Sequence, residues 1–248
     1  MTAPDRHRFA DADRGAVYRA IHQRRDVRHF RTDPVDDALV YRVLAAAHRA
    51  PSVGFMQPWT FTVIRSPQTR ARVHGLYLRE RQAAACFYDE PRRGEFLALK
   101  LEGILEAPVN ICVTCDPTRG GTHVLGRNSQ PETDVYSTCC AVQNLWLAAR
   151  AEGLGVGWVS ILKTGELREM LGIPPHVIPV AYLCLGWPEQ LRTRPMLEEA
   201  GWRERLSMTG VVRLERWDGG PEAGSAAAAA VAAAEAEIAG FEAAPEPR

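Results

Sequence analysis

Hydrophobic positions along this chain alternate between a period of three to four and a period of two, so helices and strands follow one another from about residue 16 to residue 185. Ala16 to Arg24 reads as a short helix. Asp36 or Asp37 caps a second helix running to about Arg49, with Leu39, Val43, Leu44 and Ala47 turned inward. Trp59 to Ile64 is rich in β-branched and aromatic residues and predicts a strand. Ser66-Pro67 then opens a helix, with serine at the N-cap and proline at the first helical position. Leu97 to Glu106 predicts a further helix closed by Pro108, and Val109 to Thr114 a strand. Val135 to Glu152 is apolar almost all round, which places that helix centrally or at a subunit interface. Val156 to Ile161 and Val177 to Leu185 predict two more strands, with a helix from Thr164 to Leu171 between them. The sum is an α+β domain with a central sheet and helices packed on it.

Both ends break the pattern. Residues 1–14 are polar and are expected to be mobile, while residues 219–248 are dominated by Ala, Glu, Gly and Pro. The alanine-rich run 226–234 has high helix propensity but no amphipathic face to dock, so this tail is expected to be disordered. Residues 15–218 remain as the folded domain.

Composition narrows the partners. The 248 residues carry 30 basic and 30 acidic side chains, so no global field draws the protein to nucleic acid or to an anionic membrane. Any anion site must be local. No apolar run approaches the ~20 residues that span a bilayer and no signal-peptide core is present, so a cytoplasmic location is expected. Six cysteines without a secretory signal read as reduced thiols. Cys112 and Cys115 form a C-x-x-C inside a strand, where a spacing of three puts them on opposite faces. Cys139 and Cys140 are expected in the core. The scattered histidines offer no metal-ligand spacing, and no metal is expected.

Candidate chemistry begins with Arg24-Arg25-Asp26-Val27-Arg28. Three guanidiniums offer forked donors to phosphate or carbonyl oxygens, and they would hold Asp26 ionised between them. A solvated charge run at a helix end is the competing reading. Ser52 and Gln57, in Pro51-Ser52-Val53-Gly54-Phe55-Met56-Gln57-Pro58-Trp59, supply both donors and acceptors suited to the edge of a polar heterocycle. The same residues also read as a helix-to-strand turn anchored by Trp59. Strand alternation sends Trp158 and Ser160 to one face, so Ser160 would be a buried hydroxyl needing a partner, for a site or for structure alone. Gly153-x-Gly155-x-Gly157 follows a helix and opens a strand, the reverse of a dinucleotide-binding loop. Gly153 and Gly155 read instead as the C-cap and turn that end the long helix.

In their order and spacing these pieces resemble the nitroreductase family of flavoproteins, over roughly Val17 to Trp217. Within it, the stretches Arg24 to Arg28, Ala47 to Gly54, Leu99 to Ile104, Ala141 to Glu152 and Gly157 to Ser160 resemble the branch that consumes reduced flavin. Asp26 stands where ordinary members usually carry serine. The resemblance implies a three-layer fold with a mainly antiparallel sheet, and an intertwined homodimer with FMN at its interface. It implies that reduced FMN and O2 are substrates, that the flavin is fragmented, and that a separate NAD(P)H-dependent flavin reductase supplies it. Asp26 and Ser160 would be catalytic; Arg24, Arg25, Asp26, Val27, Arg28, Ser52, Gln57, Leu101, Ser160 and Arg205 would line the flavin site. Leu101, on its helix, would exclude water. The alternative within the family is an NAD(P)H-dependent nitroreductase or flavin reductase that retains FMN; outside it, a non-catalytic flavin carrier.

Overall fold

The computed structural model describes residues 7–222 and 224–243. Two compact units divide the chain: one joins the chain up to Arg24 with the chain from Arg192 onward, and the other is Arg25–Leu191. The first holds α1 (Asp11–Gln23), α7 (Met196–Glu199), α8 (Met208–Val211) and α9 (Ala226–Ala243). The second holds α2 (Asp37–His48), α3 (Pro67–Ala85), α4 (Arg92–Ala98), α5 (Thr133–Ala151) and α6 (Thr164–Leu171), with β1 (Trp59–Ile64), β2 (Val109–Cys115), β3 (Gly155–Val159) and β4 (Ile178–Gly186).

In the first unit α1 starts at Asp11, five residues before its apolar pattern does. Asp11 and Asp13 in the first turn and His22 in the last favour the helix dipole, which the hydrophobic pattern alone cannot register. The alanine-rich run, expected to be disordered, is helical as α9. It packs against α1 and α8, the Ser225 hydroxyl accepts from the Ala228 amide at 3.1 Å, and Glu235 accepts from the Met208 amide at 2.8 Å. Small side chains dock by close approach, so a moment of hydrophobicity is no requirement. Residues 1–6 and 244–248, part of both expected tails, lie outside the described residues.

In the second unit the four strands are antiparallel in the order β1-β2-β4-β3. Every residue of the central β2 is buried. One sheet face packs Trp59, Ile111, Val113, Leu183 and Leu185 against Val43 and Ala47 of α2 and Val142 and Leu145 of α5. The other packs Ile64, Cys112, Tyr182 and Cys184 against Val73, Leu76 and Tyr77 of α3 and Leu167 of α6. The result is three layers, helix on sheet on helix. Capping follows the chemistry of the sequence: Asp36 accepts from the Ala38 amide, and Ser66 from Thr69 ahead of Pro67.

Two sequence expectations fail here. Leu97 to Glu106 is not a helix: α4 ends at Ala98, and Leu99 turns extended at ψ 133°. Arginines on α3 take the carbonyls that helix would need, Arg81 binding Leu97 and Leu99 and Arg70 binding Leu105 and Ala107. Cys139 and Cys140 are not core residues either; Cys139 is half-buried, and Cys140 is exposed on the side of α5 turned from the core. Among the described residues no helix is long and apolar enough to cross a membrane.

Candidate flavin site

Gly155 and Gly157 decide where the arginine run lies. The Val27 amide donates to the Val156 carbonyl at 2.9 Å, and Asp26 and Val156 form a parallel bridge beside the sheet. A Cβ on Gly155 would meet Val27 Cγ2 at 2.8 Å, and one on Gly157 would fall inside the Val27 carbonyl oxygen. The two glycines therefore make the bare floor on which residues 25–28 rest. Gly153, at φ +79°, ends α5 as the sequence suggests. Gly155 is not the second half of that turn but a strand residue under Val27.

Side chains then finish the edge of β3. The Trp158 amide donates to Asp26 Oδ1 at 2.9 Å, while Arg28 Nη2 donates to the Trp158 carbonyl at 2.8 Å. Arg28 Nη2 also donates to Asp26 Oδ2. Together the carboxylate and the guanidinium stand in for the peptide group of a neighbouring strand. Arg28 is 8% exposed, whereas 43% of the Asp26 side chain faces solvent. Asp26 is thus fixed by two donors and still open on one side. Arg28 Nε and Nη1 are buried without a hydrogen-bond acceptor among the described residues. Arg25 is buried too, and its carbonyl accepts from Trp146 Nε1 at 3.2 Å, which ties the run to α5. For Arg25 and Arg28 the solvated charge run is excluded. Arg24 closes α1, its amide bonded to the Ala20 carbonyl, and belongs to the other unit.

Ser160 lies one residue beyond β3 and is exposed, not buried as alternation suggested, because the strand ends at Val159 and the chain turns there. The Leu162 amide closes that turn on the Ser160 carbonyl at 2.9 Å. Trp158, Ser160 and Thr164 lie along a cavity of about 200 Å³, with Leu167, Ala181 and Tyr182 among its apolar walls. Burial raises the Tyr182 phenol, and pushes the neighbouring Cys184 thiol up to about 12, so both stay protonated.

Around Ser52 the chain forms a turn from helix to strand. The Ser52 hydroxyl accepts from the Gln57 amide at 3.0 Å, and the Val53 amide donates to Ser137 of α5 at 3.0 Å. Arg119 Nη1 clamps the carbonyls of Gln57 at 3.0 Å and Trp59 at 2.6 Å. Phe55 at φ +56° and Gln57 at φ +51° are left-handed without being glycine, which stores strain of ~1–3 kcal/mol each. Phe55 is nonetheless 80% exposed, an apolar ring held outward by a costly backbone.

Leu101 sits not on a helix but on an irregular strap from Leu99 to Ala107, half-buried against the α3 side of the core. Arg205 lies in the other unit, on the exposed stretch between α7 and α8. Sequence reasoning missed the Trp158 peptide, Gly157 and the strap's arginines. Glycines two apart in a strand were the one legible signal, since that spacing bares a single face.

Comparison with known proteins places the chain in a family. Residues 21–187 match the family model described as the nitroreductase family. A 5,6-dimethylbenzimidazole synthase of Rhodospirillum rubrum is 46% identical over 182 residues, covering 73% of this chain and 86% of that protein. The protein of the same name from Rhodobacter capsulatus is 42% identical over 200 residues, covering 80% and 96%. Among solved structures, an iodotyrosine deiodinase bound to FMN and 3-iodo-L-tyrosine superposes with a TM-score of 0.61 at 19% identity, covering 71% of this chain and 91% of that one. The α+β fold and the match over 21–187 agree: this chain belongs to the nitroreductase family.

Proposed function

We propose that this protein is a 5,6-dimethylbenzimidazole synthase, which fragments reduced FMN with O2 to 5,6-dimethylbenzimidazole and erythrose 4-phosphate, the pyrimidine ring leaving as an oxidised fragment that carries the oxygen. The observation that carries this reading is Asp26, a carboxylate fixed on the Trp158 amide beside a buried arginine in a chain 46% identical to a protein of that name. Reduced FMN is the substrate and supplies the electrons. Arg28, whose Nε and Nη1 lack acceptors among the described residues, fits the carbonyl-rich, anionic edge of a reduced flavin. Arg24, Arg25 and Arg205 are the candidates for the phosphate, and Ser52 and Gln57 for the heterocycle edge. Asp26 serves as base or acid on the substrate, a role worth ~100- to 10,000-fold in rate. Ser160, exposed at the end of β3, orients the substrate from the same strand that holds Asp26. Leu101 covers the site from its strap and excludes water.

The same reading includes a homodimer. On α5 the side away from the sheet carries Tyr136 and Cys140, and the strained turn holds Phe55 outward; a second copy covering them completes the site. A separate NAD(P)H-dependent reductase delivers the reduced flavin.

Mixing purified protein with reduced FMN and O2 releases dimethylbenzimidazole, identified by mass spectrometry. Formation of oxidised FMN and peroxide alone contradicts the proposal. Steady NAD(P)H consumption by a yellow holoprotein points to the nitroreductase alternative, and inert flavin binding to a carrier. Asp26→Asn abolishes product while flavin still binds; loss of binding alone makes Asp26 structural.

A further inference from the structure

Two arginines outside the flavin run hold the strap on which Leu101 sits. Arg81, near the end of α3, places Nη2 at 2.7 Å from the Leu97 carbonyl and 2.8 Å from Leu99. Arg70, eleven positions earlier and so three turns down the helix, places Nη1 at 3.0 Å from Leu105 and 2.5 Å from Ala107. Each guanidinium gathers two carbonyls, and the four flank the segment 100–104 on both sides. Charge-assisted bonds of this kind are stronger than neutral ones.

Between those clips the strap is braced inward. The Ile104 amide donates to Glu102 Oε2 at 2.7 Å, Asn110 Nδ2 donates to the Ile104 carbonyl at 3.3 Å, and the Ala107 amide closes on the Gly103 carbonyl at 3.0 Å. Lys100 and Glu106 pair across the base at 2.6 Å. Gly103 is pressed so close that a Cβ there would meet Phe30 Cε2 at 2.6 Å and the Arg28 carbonyl at 3.0 Å. The strap therefore lies between α3 on one side and the backbone of Arg28 on the other. Its position cannot shift without moving either the arginine clips or the residue that meets the flavin.

We propose that Arg70 and Arg81 are positioning residues for the flavin reaction: by clipping both ends of the strap they set Leu101 as a water-tight cover and press Gly103 against the Arg28 backbone. Neither touches the reacting atoms. The catalytic half of this inference rests on the synthase reading; the structural half does not. Loosening a clip lets water reach the substrate, and the oxygen reaction then diverts to oxidised FMN and hydrogen peroxide, with both electrons of the flavin going to O2.

The test has two arms. In flavin-free protein, hydrogen exchange is followed at the Ile104 and Ala107 amides in wild type, Arg70→Gln and Arg81→Gln. Either variant is expected to speed those amides about tenfold or more while β2 and β4 amides keep their wild-type protection, because a local opening needs far less free energy than global unfolding. Unchanged Ile104 and Ala107 amides overturn the clip, and a uniform loss of protection across β2 and β4 overturns a local positioning role. In the second arm the ratio of dimethylbenzimidazole to peroxide is measured with reduced FMN and O2. The ratio is expected to fall at least about fivefold in the glutamine variants and to recover partly in Arg70→Lys and Arg81→Lys, which keep the charge but not the fork. A loosened strap with an unchanged ratio overturns the proposal. If a glutamine variant does not fold, the lysine variants are judged by the same exchange and ratio criteria. Should wild type form no benzimidazole at all, the synthase reading fails, and the exchange arm still decides whether the arginines hold the strap.

Discussion

The backbone amide of Trp158 donates to the Asp26 carboxylate at 2.9 Å, so the acid proposed for proton transfer also completes the edge of a β-strand. Its two oxygens have separate partners, Oδ1 the peptide and Oδ2 the Arg28 guanidinium. Asp26→Ala removes both acceptors and is expected to cost about 1–3 kcal/mol in a denaturant titration, since Arg28 is left buried without its carboxylate. Asp26→Asn keeps the amide bond through Oδ1 and should cost less than Asp26→Ala. Equal costs contradict the divided role.

Gly157→Ala places a methyl group on the Val27 carbonyl. Residues 25–28 must lift off β3, and FMN affinity is expected to fall by more than tenfold, with stability down by about 1–3 kcal/mol. Gly165→Ala, where a Cβ meets nothing within 4 Å, is the control and should leave binding alone. Binding is measured by quenching of flavin fluorescence.

Thiol labelling separates the faces of α5. With iodoacetamide at pH 8, the exposed Cys86 is expected to react at every protein concentration, and buried Cys112 and Cys184, both pushed up to about 12, to stay unmodified. Cys140 tests for the proposed second copy: it should label in dilute protein and become protected as concentration rises. Equal labelling at all concentrations, read by peptide mass spectrometry, argues against a partner on that face.

The strap has its own pH window. Burial is the largest single influence and works against charge on both members of the pair, but their hydrogen bond and the neighbouring attractions together outweigh it, holding the Glu106 carboxyl below its ordinary value and the Lys100 ammonium above its own. A depressed carboxylate lends stability above the ordinary carboxylate range and loses it as pH falls through the folded value. A raised ammonium lends stability below the ordinary lysine value of 10.5 and loses it as pH rises through the folded value. Exchange at Ile104, corrected for intrinsic rate, should therefore be slowest between about pH 5 and 10 and quicken on either side. Flat protection from acid to alkali contradicts the pair's role.

Much of this was legible in the chain. The strands and most helices follow from period and caps, because each has one face that must be buried; Ser66-Pro67 marks its helix start to the residue, and of Asp36 and Asp37 the first is the cap. The arginine run and its carboxylate stood out by composition. What stayed hidden was contact at a distance. No local pattern says that Arg70 and Arg81 take carbonyls from residues 97–107, and so the helix predicted there lost to an irregular strap. Ser160 was misjudged by one residue, since alternation continues on paper beyond the point where pairing stops. The docking of α9 depends on α1, some 200 residues away in sequence, which no window on an alanine-rich run can reveal.

The surrogate edge beside β3 carries a consequence for solubility. Val156 and Trp158 point polar backbone groups outward from the sheet, and Val27, Asp26 and Arg28 answer them. An unanswered strand edge is a template for pairing with another chain. Variants that dislodge residues 25–28 would thus strip a guard from the sheet at the same time as they disarm the enzyme, and aggregation would accompany lost activity. On the proposed reading, the same four residues guard the sheet edge and hold the flavin.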